Sequence, residues 1–313
     1  MMWAASSSLL LLLSAAVVEV GGQIVQLHGS GTTNPSKCFW HIMDTFHQQS
    51  KIPLRMTYRG VGSGTGQDEF VGAGLRGVSG GNGTLPDADF GSGDIPISTS
   101  DYDLMKSNGV DMLHFPIVAG AISFFHSVPT GNAPLNLTAC TLAKIFQRKD
   151  ITDWNHDDIK AVNPNLNLPH PSPIRIAHRL LGSSSTASIT EYLNVACPEE
   201  WPASLVGKTI DWPADSDFVK TCQGSGGMVD CINGASGTIG YIESGHGQAE
   251  GLSEVHLENK DGVFLSSKLA AEKGGVIAAL NNADVPTSLD GDFGSVTLLN
   301  QVRHLASFSY SFS

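Results

Sequence analysis

Positive charge is scarce in this 313-residue chain: 18 Lys and Arg stand against 30 Asp and Glu, for a net charge of −12. Affinity for a phosphate backbone rests on Lys and Arg, so nucleic acid is excluded as a general partner. A small anion is not excluded, because local dipoles can hold one against an unfavourable overall field. Cysteine is sparse too, at five residues, and no CxxC or Cys/His spacing of a zinc site occurs. Nothing in the sequence calls for a metal or another cofactor. Beyond the opening residues no stretch reaches membrane-span length. Internal repeats and long linkers are absent. GSGTTNPSK lacks the Gly before Lys of a Walker A loop, and GVGSGTG misses the G-x-G-x-x-G spacing by one residue.

What is present reads as globular, with 41% apolar and 15% charged residues. The start, MMWAASSSLLLLLSAAVVEVGG, has the short apolar core and small flanking residues of a signal peptide over 1–22. That places the chain in a secretory route, extracellular or at the cell surface, or periplasmic if bacterial. Cys222 and Cys231 flank a Gly-rich loop (CQGSGGMVDC) and can close a small disulfide; Cys140 with Cys197 is a second possible pair. Cys38 sits on a helix-like apolar face and is expected as a buried free thiol. Asn82-Gly-Thr and Asn136-Leu-Thr are glycosylation sequons, usable in a eukaryotic secretory pathway. Asp153, Asp157 and Asp158 form an acidic cluster without a calcium-loop motif, which reads as a solvated surface.

Strand-like and helix-like runs alternate, which predicts an α/β protein. Gln23–Leu27 and Leu54–Tyr58 read as strands, each ending in a Gly-rich turn. Asn34 is placed as cap and Pro35 as first residue of a helix in which Phe39, Ile42, Met43 and Phe46 follow at helical spacing, with Met43 and Phe46 as core. A helix is expected over Gln67–Leu75, an apolar strand over Phe115–Phe125 and a strand over Ile174–Ala177. Leu142–Phe146 and Ala187–Val195 read as helices, and Thr238–Ile242 as a strand. His178, Trp154 and Trp212 read as packing residues.

Three runs stand out: GSGTTNP at 29–35, GVGSGTG at 60–66 and GSSST at 182–186. Each precedes a helical pattern, so backbone N–H groups and hydroxyls gather where a negative group is welcome. Taken singly, Thr33 is a helix cap, Ser63 and Ser183–Ser185 are turn residues, Asp94 is a turn carboxylate and Arg179 a surface charge. Taken together they suit dissolved phosphate, which near pH 7 keeps at least one proton. A specific site must offer many donors plus one acceptor for that proton. A carboxylate accepts it and repels sulfate, which has no proton to give.

These motifs in this order resemble phosphate-binding proteins of the PstS type. GSGTTNP resembles the family's first phosphate loop, YRGVGSGTG the second and DFGSGDIPIS the segment bearing the acidic ligand. FPIVAGAISFF, LAKIFQRKDITDWNHDDIKAVNPNLNLP and HRLLGSSST also match it. The resemblance implies a two-lobe periplasmic-binding-protein-like α/β fold with a ligand cleft between lobes. It implies a first lobe over 23–118, a second over 119–261 and a return to the first over 262–313. The implied ligand set is Thr33, the Asn34 N–H, Ser63, Asp94 as proton acceptor, Arg179, Ser183, Ser184 and Ser185. Asn34 replaces the family's usual Phe, Ser184-Ser185 the usual Gly-Thr, and Leu181 an Asp that many members carry. The closing LASFSYSFS resembles a late first-lobe strand after which family members continue, so the resemblance implies a shortened end with a lobe face left uncovered. Function follows as non-enzymatic phosphate capture by a monomer, with a membrane permease as the partner for uptake. The rivals are a secreted phosphatase or hydrolase using Ser183 or Ser63, and a binder of another oxyanion.

Overall fold

The computed structural model describes residues 24–72, 75, 88–117, 119–131, 133–259, 261–281 and 283–296. The signal-like segment, the Asn82 sequon and LASFSYSFS lie outside the described residues. Two sheets organise the described residues. The smaller has three strands in the order β2-β1-β3, all parallel: β1 (Val25–Gly31), β2 (Leu54–Gly60) and β3 (Phe90–Ser92). Gly31 lies opposite both Gly60 and Ser92, so all three strands finish at one level. Helix α1 (Ser36–Gln49) follows β1, α2 (Ser63–Val71) follows β2, and α3 (Thr99–Ser107) follows β3.

The larger sheet has seven strands, with β10-β9-β4-β8-β6-β7 in order and β5 beside β9. Its members are β4 (Ile122–His126), β5 (Leu135–Leu137), β6 (Arg175–Arg179), β7 (Val219–Cys222), β8 (Thr238–Glu243), β9 (Ser253–Glu258) and β10 (Phe264–Leu265). β6 runs parallel to β7, and Arg179 is level with Cys222 where the two strands end. Helix α4 spans Ala139–Phe146, α5 Asp157–Val162, α6 Ser184–Ala196, α7 Gly224–Gly234 and α8 Ser244–Ala249. α9 (Ser267–Glu272) and α10 (Gly275–Asn281) follow β10. The chain then returns against the first lobe, where Leu289 O accepts from His114 N–H (2.8 Å) and Asp290 O from the Tyr102 hydroxyl (2.6 Å).

Apolar burial is uneven. Phe124, Phe125, Phe146, Trp154, Trp201 and Tyr241 are fully enclosed in the larger lobe, where Trp154 and Trp212 pack as expected. The smaller lobe has a modest cluster of Val71, Ile97, Met105 and Met112. Disulfides join Cys140 to Cys197 and Cys222 to Cys231.

Several local expectations are corrected. α1 starts at Ser36 with Pro35 as its cap residue, and Asn34 makes no cap bond. The Asn34 side chain is drawn instead to Asp94 and Ser225. The α1 face is not core: Ile42 is 46% and Phe46 53% exposed, and Cys38 is exposed. α1 packs mainly against β2, an edge strand, which leaves Ile42 and Phe46 exposed. α2 begins at Ser63, four residues before the expected start, and ends at Val71. Phe115 and Ile117 lie outside β4 and are exposed, since these residues cross between lobes without a strand partner. Asn136 is half-buried in β5, and its amide donates to Val162 O (3.1 Å).

Candidate functional site

Both sheets aim the carboxyl ends of parallel strands at the same place. That is where open α/β sheets bind ligands, because loops there lead into helix N-termini. From the smaller lobe come the turn after β1 (Thr32–Asn34), the start of α2 and the turn after β3. From the larger lobe come the turn from β6 into α6 and the turn from β7 into α7. The two sides touch: Gly64 N–H donates to Gly182 O at 3.4 Å. Gly62 has φ +94, a region a side chain rarely adopts, and an added Cβ would stand 3.2 Å from Gly182 O.

One oxygen marks the focus. Asp94 Oδ2 accepts from Thr32 Oγ1 (2.6 Å), Asn34 Nδ2 (2.9 Å), Ser63 Oγ (3.4 Å) and Ser184 Oγ. Ser63 Oγ also lies 3.0 Å from Ser184 Oγ, its counterpart across the cleft. Donors from both lobes therefore converge on a single point, in surroundings where Ser63, Ser184 and Thr32 are buried.

Arg179 ends β6 beside this point and is 7% exposed. Its backbone N–H donates to the Tyr241 hydroxyl (3.2 Å), which also bonds Thr186 Oγ1 (2.7 Å). Burial pushes the Arg179 guanidinium below its ordinary range, with Tyr241 and Asp94 opposing. Nη1 donates to Ser183 Oγ (3.0 Å), while Nε has no hydrogen-bond partner among the described residues. A buried cation with a donor unspent favours an anionic neighbour. Ser183 is the N-cap of α6, accepting from Ser185 N–H at 3.1 Å. The Ser185 hydroxyl is buried without a partner among the described residues. On the first lobe, Tyr58 OH donates to Thr32 O (2.6 Å) and accepts from Ser92 Oγ (2.7 Å), which ties loop one to β3. Burial pushes the Tyr58 phenol up to about 12.

Of the sequence-expected residues, Asn34, Ser63, Asp94 and Ser184 meet at the focus, and Arg179 and Ser183 stand together beside it. Thr33 is turned to the rim, where its Oγ1 bonds Ser225 Oγ at 2.7 Å. Asn34, expected to offer only its backbone, also uses its side chain. Sequence reading missed Thr32, next door in the same loop, and Ser225. The signal for Ser225 was available: QGSGG, where α7 starts, is a fourth Gly/Ser run opening a helix. His178 is structural as expected: buried, stacked on Trp212 (ring centroids 5.0 Å), with Nδ1 3.2 Å from Arg179 O. Among the described residues Ser63 and Ser183 bond no imidazole: Ser63 meets Asp94 and Ser184, and Ser183 meets Arg179 and the Ser185 N–H. Among the described residues no His, Cys, Asp and Glu group suits a metal ion.

Two sheets facing each other across a polar cleft, joined by crossing segments, define a two-lobe binding protein of the periplasmic type. The chain belongs to the PBP superfamily: the family model described as PBP superfamily domain matches residues 17–306. It is 30% identical over 250 residues to the phosphate-binding protein PstS of Methanocaldococcus jannaschii, covering 78% of this chain and 60% of that protein. The chain thus spans less than two thirds of that relative's length. PstS of Haemophilus influenzae is 28% identical over 285 residues, covering 83% of this chain and 76% of that one. The fold matches a high-affinity periplasmic phosphate-binding protein, PfluDING, at TM-score 0.58 and 19% identity over 84% of this chain and 68% of that one. A Clostridium perfringens chain solved with bound phosphate matches at TM-score 0.51 and 17% identity, over 80% and 81% of the two chains.

Proposed function

We propose that the chain captures inorganic phosphate in the cleft between its two sheets, without covalent chemistry. The observation that carries this is the meeting of donors from both lobes on one Asp94 oxygen, beside a buried Arg179 with Nε unspent. Thr32, Asn34, Ser63 and Ser184, whose donors turn to Asp94 Oδ2 in this structure, re-aim at the entering anion together with the Arg179 guanidinium; Asp94 is the acceptor for the proton that phosphate retains. The N-termini of α2 and α6 add partial positive charge without adding a titrating group. The proposed ligands are Thr33 through its backbone, since its hydroxyl is turned to Ser225, the Asn34 N–H, Ser63, Asp94, Arg179, Ser183, Ser184 and Ser185, with Thr32 added. The names of the curated relatives support this reading. In the cell the protein acts as a monomer outside the membrane and hands phosphate to a permease for uptake or scavenging.

The test is calorimetric titration of the signal-free protein with phosphate, arsenate and sulfate. Phosphate and arsenate are expected to bind, and sulfate to bind far more weakly. Sulfate binding as tight as phosphate would make this a general oxyanion binder instead.

A further inference from the structure

Ser225 lies on the opposite lobe from the loop it touches. It stands in the first turn of α7, is 2% exposed, and follows Gly224, whose φ is +65. A Cβ at Gly224 would lie 3.5 Å from Thr33 Cγ2, so the first-lobe loop rests directly on this turn. The Ser225 hydroxyl bonds Thr33 Oγ1 (2.7 Å) and donates to Asn34 Oδ1 (3.2 Å). Its single hydrogen is thereby spent on Asn34, so Thr33 is the donor in the other bond. Asn34 Nδ2 in turn donates to Asp94 Oδ2 (2.9 Å). The result is a directed chain, Thr33 to Ser225 to Asn34 to Asp94, that leaves the first lobe, turns on the second and comes back to the carboxylate.

We infer that Ser225 is a positioning residue for anion binding, acting through the Asn34 amide; this rests on the phosphate reading above. An Asn side chain is nearly symmetric in shape and has a donor end and an acceptor end. Only the orientation with Oδ1 toward Ser225 sends Nδ2 toward Asp94. The reversed amide would set its carbonyl against the carboxylate, two acceptors face to face. Asp94, which can only accept, selects this orientation, and Ser225 holds the amide in place by giving its hydrogen to the Oδ1 end, which it does only while the lobes are together. Closure and the arming of Asp94 are therefore one event, the coupling a hinged binder needs for its ligand to favour the closed form.

The experiment is a double-mutant cycle on the full chain, with Ser225→Ala, Asn34→Ala and both together, read as the phosphate Kd by titration. Each single change is expected to raise Kd roughly tenfold, the scale of a hydrogen bond or two lost around a charged group. The double change is expected to add little to either one. Ser225→Thr, which keeps the hydroxyl, should restore most of the affinity, a result that a purely structural role for the Ser225 backbone would not produce. If Ser225→Ala fails to fold in a ligand-free melt, Ser225→Gly takes its place in the cycle. A Ser225→Ala protein within twofold of the parent, or single effects that multiply in the double variant, would overturn the inference. A parent that binds no oxyanion removes the phosphate reading and this inference together. A parent that binds while the cycle shows no coupling removes the inference alone.

Discussion

In the proposed reading Asp94 carries the contrast between phosphate and sulfate. A carboxylate can only accept, and a protonated phosphate oxygen can give what it needs, whereas sulfate offers only acceptors and repulsion. An amide in the same place both donates and accepts. Asp94→Asn is therefore expected to weaken phosphate roughly tenfold or more and to narrow the phosphate-to-sulfate ratio, both read by titration. An unchanged ratio would place the discrimination elsewhere. Arg179 is the formal positive charge at the focus. Arg179→Ala removes one partner of a buried charge pair, which typically costs about 2–5 kcal/mol, so phosphate affinity should fall at least tenfold. A variant within twofold of its parent would put Arg179 outside the site. Both residues were legible in the sequence because each sits in a motif with its neighbours, DFGSGD and HRLLGSSS. For Ser225 the run QGSGG marked a helix start, but its partners, at sequence separations of 192 and 191, were not legible. No local pattern encodes a contact made only when two lobes meet.

Among the elements, α1 and α4 show what a helical pattern can and cannot tell. Both carry apolar residues at helical spacing. Phe146 in α4 is fully buried among aromatic rings, and Phe46 in α1 is 53% exposed. Phe146→Ala should cost about 3–5 kcal/mol, while Phe46→Ala should cost under about 1 kcal/mol. Urea melts of the two variants compare the costs directly; equal losses would mean that α1 is covered in solution. Strand β4 carries a second test. His126 is 3% exposed, and burial, with His256 nearby, pushes its pKa down to about 4. The folded state keeps this imidazole neutral, while the unfolded chain takes up a proton near pH 6.5. Its contribution is present above about pH 6.5 and is lost as pH falls toward 4, by about 3 kcal/mol in full. Burial lowers His114, His178, His246 and His256 in the same sense. Stability by urea melts should therefore fall between pH 7 and 4, and His126→Asn should flatten the slope. A slope that His126→Asn leaves unchanged would assign it to the other histidines.

At the scale of the molecule, contacts across the cleft would tie the proposed ligand binding to lobe closure. Lys37 pairs with Glu250 at 2.8 Å, Thr33 with Ser225, and Gly64 with Gly182. Lys37 is mostly exposed, so this ion pair is worth little alone and is screened by salt. Binding should do most of the closing. Phosphate in large excess over its Kd is expected to raise the melting temperature, by about 4 kcal/mol of added stability at a thousandfold excess. A melt that phosphate, arsenate and sulfate all leave unmoved would point to a protein that keeps the fold without the ligand.

The sequence by itself determined the alternation of strands and helices, the Gly/Ser loops that open helices, the disulfide candidates and the residue types an anion demands. These are short-range matters: hydrophobic period, backbone freedom at glycine and the hydrogen-bonding capacity of a side chain are properties of a few adjacent residues. Only the tertiary structure decided that Thr33 turns to the rim while Thr32 reaches Asp94, that the Asn34 side chain joins the focus, and that the α1 face stays open. The reason is that each of these depends on what stands opposite: Asp94 and Ser225 for the first two, and for α1 mainly an edge strand. Which side of a residue meets a partner is set by the docking of sheets and lobes, and a linear pattern carries the capacity for a contact without the identity of its partner.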